Sequence, residues 1–314
     1  MPIVVSFLGH QLDPLDNCTS GYFANSTSHC VQPFSKHTEI VICNVYITPK
    51  QLSWIRQDHI KTRILLVEEP LGPKTWFKDM YQLYRSGFFH LVYGCVPESR
   101  KSVYRPFYLK HFPFNKTTVN EFTTINARVK NITREELLTK KWAALINRHD
   151  PGHTREPIYK VVSRLGFVAC PGKLLNNCSN TEVNAMGKPQ WLAQFVFNIC
   201  PENFPAAPAG YISEKIFDAL RSGAIPIYFG RLTALEEGLF NVNRILLVNP
   251  YDPQSLKQLF MQLQEWQRDK NKLLAYYQQP VFLEGAYEIA QEHMNQAIAR
   301  FKKILSVTEK DEKT

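Results

Sequence analysis

Short apolar runs rich in Val, Ile and Phe alternate with amphipathic stretches along most of the chain. The clearest runs in the first half are IVVSFLG, EIVICNV, RILLV and FFHLVYGC, and those in the second half are WAALIN, FVAC, FVFNIC, AIPIYFG and RILLVNP. Parallel strands need long crossover connections, which are usually helices, so this alternation indicates βαβ units. The sequence therefore predicts an α/β protein built on parallel sheets.

A polar stretch rich in Thr and Asn, residues 109–139, interrupts this pattern and is predicted to be a connection or a long surface excursion. We therefore expect an N-terminal α/β domain at residues 1–138 and a second α/β domain at 139–283. The tail, residues 284–314, is predicted to be an amphipathic helix. Its apolar face is formed by Ala290, Met294, Ala297, Ile298, Phe301 and Leu305. This face is expected to pack against a domain, with a basic membrane-surface helix as the alternative.

The chain carries 37 Lys and Arg residues against 28 Asp and Glu, a formal charge of +9. Such an excess suits an anionic partner such as a nucleotide, a phosphate or an acidic lipid, although it also serves solubility alone. The basic residues form no stripe and no nucleic-acid recognition motif is present, so no nucleic-acid partner is expected.

Nothing in the sequence indicates export or a membrane span. The first residues lack the basic region and long apolar core of a signal peptide, and no apolar run reaches 18 residues. The seven cysteines include no C-x-x-C pair, so buried reduced thiols are expected, with a Cys18–Cys30 disulfide as the alternative. We expect a cytoplasmic protein that contacts a membrane surface at most through its C-terminal helix.

Several catalytic motifs are absent from the sequence. Without G-x-G-x-x-G or G-x-x-x-x-G-K-[ST], a nicotinamide dehydrogenase or a P-loop ATPase is disfavoured, and H-E-x-x-H and G-x-S-x-G are missing too. There is also no Asp-x-Asp, the usual carboxylate pair that holds a divalent metal against a sugar nucleotide. No metal site is therefore predicted, and fixed cations would have to neutralise a diphosphate.

Two predicted helices in the second half begin with a cation. Arg155 follows WAALIN and a polar loop, and Lys215 follows FVFNIC and a Pro-Glu-Asn turn. Ligands of doubly wound sheets bind at such positions, where free N–H groups and the positive helix end suit phosphate. Because that end repels a cation unless an anion joins it, the two starts predict a pyrophosphate site, with solvated caps as the alternative. Thr154 is expected to cap the first of these helices.

The segment FNICPEN…GYISEKIFDALRSGAIPIYFG resembles the signature of the α1,3-fucosyltransferases, glycosyltransferase family 10. That signature is approximately F-x-[LI]-x-[FP]-E-N, a loop, G-Y-[VI]-[ST]-E-K and I-P-[IV]-Y-x-G. Upstream, RHDPGHTREP is similar to the family's arginine-bearing loop, and RILLVEEP is similar to its acidic strand end. The resemblance extends over residues 38–230.

The resemblance implies a GT-B-type fold, with two Rossmann-like domains facing a cleft and a C-terminal helical tail. It implies inverting transfer of fucose from GDP-fucose to a GlcNAc-type hydroxyl of a glycan, with no required cofactor. By the same resemblance, Arg155 and Lys215 contact the diphosphate, and Asn203, Tyr211 and Glu214 contact the nucleotide and fucose. A GT-B transferase for another sugar nucleotide, or a non-catalytic protein that binds an anionic ligand or lipid, remains the alternative.

The family's general base corresponds to Glu69. The preceding Glu68 is a second candidate, because the two carboxylates are adjacent at the predicted end of a strand. Side chains alternate along a strand, so the two should point to opposite faces and only one can serve an acceptor hydroxyl. The register of the resemblance favours Glu69.

Overall fold

The computed structural model describes residues 3–8, 29–72, 77–111, 116–203 and 211–311. The chain divides into two compact α/β units. The first comprises Met1–Pro113, Ala207–Tyr211 and Glu288–Thr314, and the second comprises Phe114–Ala206 and Ile212–Tyr287.

The helices of the described residues fall between or after the strands. They are α1 (Pro49–Ile55), α2 (Lys78–Arg85), α3 (Tyr108–His111), α4 (Lys116–Lys130), α5 (Arg134–Thr139), α6 (Arg155–Val162), α7 (Thr181–Met186), α8 (Lys188–Leu192), α9 (Glu214–Ser222), α10 (Ala234–Glu237), α11 (Pro253–Arg268), α12 (Lys270–Tyr277) and α13 (Ala286–Asp311), with a 3-10 turn at Val242–Arg244.

The first unit is built on a parallel sheet. Its described strands are β1 (Ile3–Leu8), β2 (His29–Val31), β3 (Ile40–Asn44), β4 (Thr62–Val67), β5 (Leu91–Gly94) and β6 (Ser102–Tyr104), in the order β2-β1-β3-β4-β5-β6. The four predicted strands are confirmed. The sequence did not predict β2 and β6, because each has only three residues and too short an apolar run to show a pattern.

Both faces of this sheet are buried, as parallel sheets require. Along β3, Ile40 and Ile42 belong to one apolar cluster, and Val41 and Cys43 belong to another. This alternation follows from the two-residue repeat of a strand, which sends successive side chains to opposite faces.

The C-terminal helix α13 covers one of these faces. Phe301 is fully buried and its ring meets that of Tyr93 edge-on, with centroids 5.3 Å apart. Ile304 lies in the same cluster as the strand residues, and the Tyr108 hydroxyl forms a hydrogen bond with His293 Nδ1. The apolar face on which a membrane-surface helix would depend is therefore already buried in the first unit.

The second unit contains another parallel sheet. Its described strands are β7 (Lys141–Ala144), β8 (Val168–Ala169), β9 (Phe195–Ile199), β10 (Ile225–Tyr228) and β11 (Leu246–Leu247), in the order β11-β10-β9-β7-β8. All five were predicted from the sequence. Strand β8 lies on one side of β7, and β9, β10 and β11 follow on its other side. The strand order therefore switches direction between β7 and β9.

The stretch 109–139, predicted to be a connection or a long surface excursion, contains helices α4 and α5 as well as the boundary between the two units. Phe122 is buried and stacks on Phe282, with ring centroids 4.0 Å apart. The Asn126 carboxamide accepts hydrogen bonds from the backbone N–H groups of Val281 and Phe282, at 2.9 and 3.0 Å. These contacts join α4 to the second unit, which therefore begins before the predicted boundary at 138.

Three further points concern particular residues. Cys18 of the alternative disulfide lies outside the described residues. The side chains of Cys43, Cys95, Cys170, Cys178 and Cys200 are free thiols. Over the ranges that the structure describes, no helix has the length and apolar character needed to cross a bilayer.

Candidate active site

The candidate donor site lies at the carboxyl ends of β7 and β9. These strands are neighbours in the sheet, where Ala144 pairs with Asn198, and the chain leaves them in opposite directions. Ligands of open α/β sheets bind at such a switch point, because the two diverging connections leave a crevice above the strand ends. The loop after β7 leads to Arg155, and the loop after β9 carries Glu202 and Asn203.

Asp150 caps the helix that begins at Arg155. Its Oδ2 accepts hydrogen bonds from the N–H groups of Arg155 and Glu156, at 2.9 and 3.1 Å, and its Oδ1 accepts from the Thr154 N–H at 2.9 Å. A carboxylate is stabilised at the positive end of a helix. Thr154 occupies the predicted N-cap position, but its side chain makes no capping hydrogen bond. Its hydroxyl instead donates toward the Glu202 carbonyl at 3.3 Å and Asp150 Oδ1 at 3.4 Å.

Arg155 connects the two loops. Its side chain is fully buried, and its guanidinium donates to the His149 carbonyl at 2.5 Å, to the Pro201 carbonyl at 3.4 Å and to Asn203 Oδ1. Asp150 Oδ1 lies 3.6 Å from Arg155 Nη1. A protein carboxylate thus offsets the unfavourable position of this cation at a helix start, and the guanidinium fixes the orientation of Asn203.

The close approach of the loops requires a glycine at position 152. A Cβ atom added there would lie 2.6 Å from the Asn203 carbonyl oxygen, closer than such atoms approach in proteins. The Gly152 carbonyl also accepts a hydrogen bond from the Tyr251 hydroxyl. The glycine therefore sets how near the loop after β7 comes to Asn203.

Glu202 organises the start of helix α9. It is 1% exposed, and its Oε1 accepts from the Ser213 N–H at 2.8 Å and from the Tyr228 hydroxyl at 3.2 Å. Its Oε2 accepts from the Ser213 hydroxyl at 2.6 Å and lies 3.5 Å from Lys215 Nζ. Ser213 is the N-cap residue, yet its hydroxyl donates to the carboxylate instead of accepting from the helix.

The role of Glu202 was not predicted from the sequence. The available signal was a glutamate placed directly after a buried strand, in the same turn as Asn203, where a carboxylate needs donors close by. The pKa of the Tyr228 phenol is raised well above its ordinary value of 10.0, first by burial and then by the charge of Glu202. The phenol therefore remains a hydrogen-bond donor to that carboxylate.

Lys215 retains some exposure at this helix start. Its side chain is 13% exposed, and Nζ lies 2.7 Å from the Ser213 hydroxyl oxygen and 4.0 Å from Glu214 Oε1. On the same helix, burial raises the pKa of Asp218 to about 6, and Lys188, 3.8 Å away, partly offsets this. Lys188 also lies 3.9 Å from Glu214 Oε1, so cations and carboxylates alternate around the helix start.

The candidate base lies in the first unit, just beyond the end of β4. Glu69 is half-buried, its Oε1 accepts from the Tyr46 hydroxyl at 2.7 Å, and its Oε2 accepts from the Tyr211 hydroxyl at 3.3 Å. Glu68 instead faces Arg105 Nη1 at 3.8 Å. The two glutamates thus have different partners, as the alternation along a strand predicts.

The predicted site residues belong to both units. Arg155, Asn203, Glu214 and Lys215 lie in the second unit at the ends of β7 and β9. Tyr211, predicted to contact the nucleotide or fucose, contacts Glu69 in the first unit. In the described part of the chain, no group of His, Cys, Asp and Glu side chains has the arrangement of a metal site.

The chain resembles known proteins in sequence and in fold. No protein-family model matches the chain. Over 171 residues, 54% of the chain, the sequence is 28% identical to α-(1,3)-fucosyltransferase FucT of Helicobacter pylori. The match covers 34% of that protein, so the chain spans about a third of the length of this curated relative.

A crystal structure of an α1,3-fucosyltransferase superposes on 97% of the chain with a TM-score of 0.66, at 19% identity and over 90% of its own length. The chain has the α1,3-fucosyltransferase fold. A crystal structure of α1,3-fucosyltransferase with GDP-fucose gives a TM-score of 0.65 at 17% identity, with the same coverage of both chains. These similarities confirm the predicted resemblance and, with the two parallel sheets, the predicted α/β architecture with two Rossmann-like parts.

Proposed function

We propose that this protein is an α1,3-fucosyltransferase that takes fucose from GDP-fucose. The observation that carries the proposal is the arrangement at the switch point of the second sheet. There Glu202 holds Ser213 and Lys215 at the start of α9, and Arg155 orients Asn203 beside it. The fold supports the same activity, because it is shared with an α1,3-fucosyltransferase whose structure with GDP-fucose is known.

The donor diphosphate is proposed to bind at the start of helix α9. The first N–H groups of a helix point outward and its positive end favours an anion, so phosphate oxygens are stabilised there. Lys215 adds a point charge that is only partly buried. Asn203 and Glu214 are proposed to bind hydroxyl groups of the nucleotide and fucose, and Arg155 acts by fixing the amide of Asn203.

Glu69 is proposed to be the general base. As the GlcNAc-type hydroxyl oxygen forms its bond to the fucose anomeric carbon, the carboxylate takes the hydroxyl proton. The bond from that carbon to the β-phosphate oxygen breaks, and GDP leaves with the electron pair, which inverts the anomeric configuration. Hydrogen bonds from Tyr46 and Tyr211 hold both carboxylate oxygens and so orient Glu69.

The proposed mechanism stabilises departing GDP with fixed side chains and needs no divalent metal. Transfer in excess EDTA should therefore persist, with at most a modest stimulation by manganese. Complete loss of transfer in EDTA, restored by manganese, would show that a metal neutralises the diphosphate.

The proposal is tested by incubating the purified chain with GDP-fucose and N-acetyllactosamine and determining the new linkage and anomeric configuration by NMR. Thermal unfolding in GDP and in UDP provides a second measurement. We expect an α1,3-linked product, and a rise in the unfolding temperature with GDP but not with UDP. A shift with UDP alone would indicate another sugar nucleotide, and an acidic-vesicle interaction without any nucleotide response would favour a non-catalytic lipid-binding protein.

A further inference from the structure

A cavity of about 560 Å³ lies at the edge of the second sheet opposite to the candidate donor site. Lys141 begins β7 and pairs with Phe195 at the start of β9, so the cavity is at the amino ends of these strands. Its lining includes the cations Arg128, Lys140 and Lys141. Nothing in the proposed transfer reaction uses this cavity.

Among the described residues, the side-chain hydrogen bonds of these three cations go to neutral groups. Lys140 donates to a backbone carbonyl, Lys141 to an amide oxygen at 3.1 Å, and Arg128 to a backbone carbonyl at 2.9 Å. The acceptors are Ala193, Gln194 and Arg221. Among the residues that the structure describes, no salt bridge neutralises any of the three.

A fourth cation lies behind the cavity wall. Arg244 is fully buried and its guanidinium donates to the carbonyls of Gly223, Ala224 and Tyr277, at 2.7 to 3.3 Å. Within the described ranges it too forms no salt bridge with a carboxylate. Burial lowers the pKa of Arg244 to about 10, because the charged form is poorly solvated there.

The one carboxylate in the cavity lining is already occupied. Glu136 accepts a hydrogen bond from the Thr133 N–H at 2.8 Å and so caps helix α5. The pKa of Lys140 is lowered, first by burial and then by the charge of Arg128, and Glu136 offsets only part of this. The cavity therefore collects positive charge that the protein itself leaves mostly uncompensated.

We propose that this cavity binds the phosphate group of a small phosphorylated ligand. A dianion would reverse the repulsion among the cations, and a guanidinium together with ammonium groups is the combination that binds phosphate oxygens. Asn131 and Thr139 also line the cavity and supply neutral polar groups. The volume lies within the range of small-molecule sites, about 300 to 1,000 Å³.

The proposed site is independent of fucosyl transfer. It lies at the opposite end of the strands from Lys215, so its occupancy can be tested whether or not the chain binds GDP. Phosphate can also bind at the start of α9, and the measurements are therefore made both in wild-type protein and in the Lys215→Ala variant.

The test is isothermal titration calorimetry with inorganic phosphate and pyrophosphate. The double variant Arg128→Gln/Lys141→Gln removes two exposed cations from the cavity and should leave the fold intact. Because each removes a charge-assisted hydrogen bond to the anion, we expect its dissociation constant to rise by about tenfold or more. The matched control Lys257→Gln/Arg268→Gln removes the same two charges from exposed positions on α11 and should bind like wild type.

The source of the phosphate is distinguished by sedimentation with phosphatidylcholine vesicles, with and without phosphatidylinositol phosphate. Binding of free phosphate alone identifies a soluble ligand, and vesicle binding that the cavity double variant loses identifies a lipid headgroup. A second variant, Lys140→Met, should weaken either interaction while thermal unfolding verifies its fold. Absence of binding to all probes, or equal binding by wild type and the cavity variants, overturns the proposal.

Discussion

Glu69 in the first unit and Glu202 in the second follow the carboxyl ends of buried parallel strands, and both accept hydrogen bonds from tyrosine hydroxyls. Their surroundings differ. Glu202 is 1% exposed and also binds Ser213 twice and Lys215 once, whereas Glu69 is half-buried between phenols. Glutamates at the carboxyl ends of strands are thus enclosed by hydrogen-bond donors in the second unit and partly exposed to solvent in the first.

The two glutamates differ in what holds their carboxylates. Glu202 is buried and is held by hydrogen bonds from Ser213 and Tyr228 and by the ion pair with Lys215, so its carboxylate fixes the start of helix α9. Glu69 is half-buried and is held by the hydroxyl groups of two tyrosines. We therefore propose Glu69 for proton transfer and Glu202 for the positioning of Lys215.

The largest expected effect is that of Glu69→Gln. The amide keeps the shape of the side chain but cannot take the acceptor proton, so turnover should fall by about a thousandfold, within the usual range for a general base. GDP affinity, measured by calorimetry, should remain that of wild type. Glu68→Gln is the matched control and should change turnover little. A dead Glu68→Gln enzyme with an active Glu69→Gln enzyme would reverse the assignment.

The next largest effects are expected for Lys215 and Arg155, where loss of the first should lower transfer and loss of the second should lower stability. Lys215→Ala removes a partly exposed charge from the proposed diphosphate site, so kcat/KM should fall by about two to three orders of magnitude. Arg155→Ala instead removes a fully buried cation and leaves Asp150 unpaired, so the free energy of unfolding should fall by about 3 to 5 kcal/mol.

Chemical denaturation and steady-state kinetics on both cation variants provide the comparison. The conservative Lys215→Arg variant should recover part of the lost transfer, because a cation is restored. A tenfold or smaller loss in Lys215→Ala, with normal stability, would show that the leaving group is stabilised elsewhere.

Much of the sheet framework could be predicted, because strands such as β3 and β9 are continuous apolar runs bounded by polar loops. Helix α4 was not predicted, because its Thr and Asn residues have weak helix propensity, although its buried Phe122, Ile125 and Val129 recur at the i, i+3, i+7 spacing of a helix. Tertiary packing on Phe282 decides its conformation.

The candidate site shows the same limit. The positions of Arg155 and Lys215 at helix starts followed from the sequence, but their carboxylate partners did not. Asp150 is close to Arg155 in sequence, and only the turn of the loop directs both its oxygens to the helix. Glu202 reaches Ser213 across a loop whose path no local pattern specifies. A cation at a helix start can thus be balanced by a carboxylate of the protein, and the prediction of a bound anion did not take these carboxylates into account.

A smaller effect on transfer is expected for Glu202→Gln. The amide keeps one acceptor but loses the charge that holds Lys215, so kcat/KM should fall by about tenfold to a hundredfold, less than direct loss of a stabilising donor. Here GDP affinity should weaken together with turnover, in contrast to Glu69→Gln. Glu237→Gln, an exposed residue of the same unit, is the control. Loss of turnover with unchanged GDP affinity would contradict the positioning role of Glu202.

The smallest effects come from the tyrosines that bind the two glutamates. Tyr46 is 46% exposed, so Tyr46→Phe should hardly change stability, but it removes a donor that orients Glu69 and should lower turnover by about threefold to tenfold, the equivalent of one hydrogen bond. Tyr228 is fully buried, so Tyr228→Phe should lower the free energy of unfolding by about 1 to 3 kcal/mol and leave the turnover of folded enzyme nearly unchanged.

The pH dependence of the Tyr228→Phe variant sharpens this comparison. The pKa of Tyr228 in the folded protein is raised above its ordinary value of 10.0, so the stabilising contribution of the protonated phenol is fully present below that value. It is lost only as pH rises through the folded pKa. The stability difference between wild type and Tyr228→Phe, measured by urea unfolding, should therefore be constant across neutral pH. A difference that already changes near neutrality would contradict this expectation, because it would mean that a group other than the Tyr228 phenol sets the pH dependence of the stability difference.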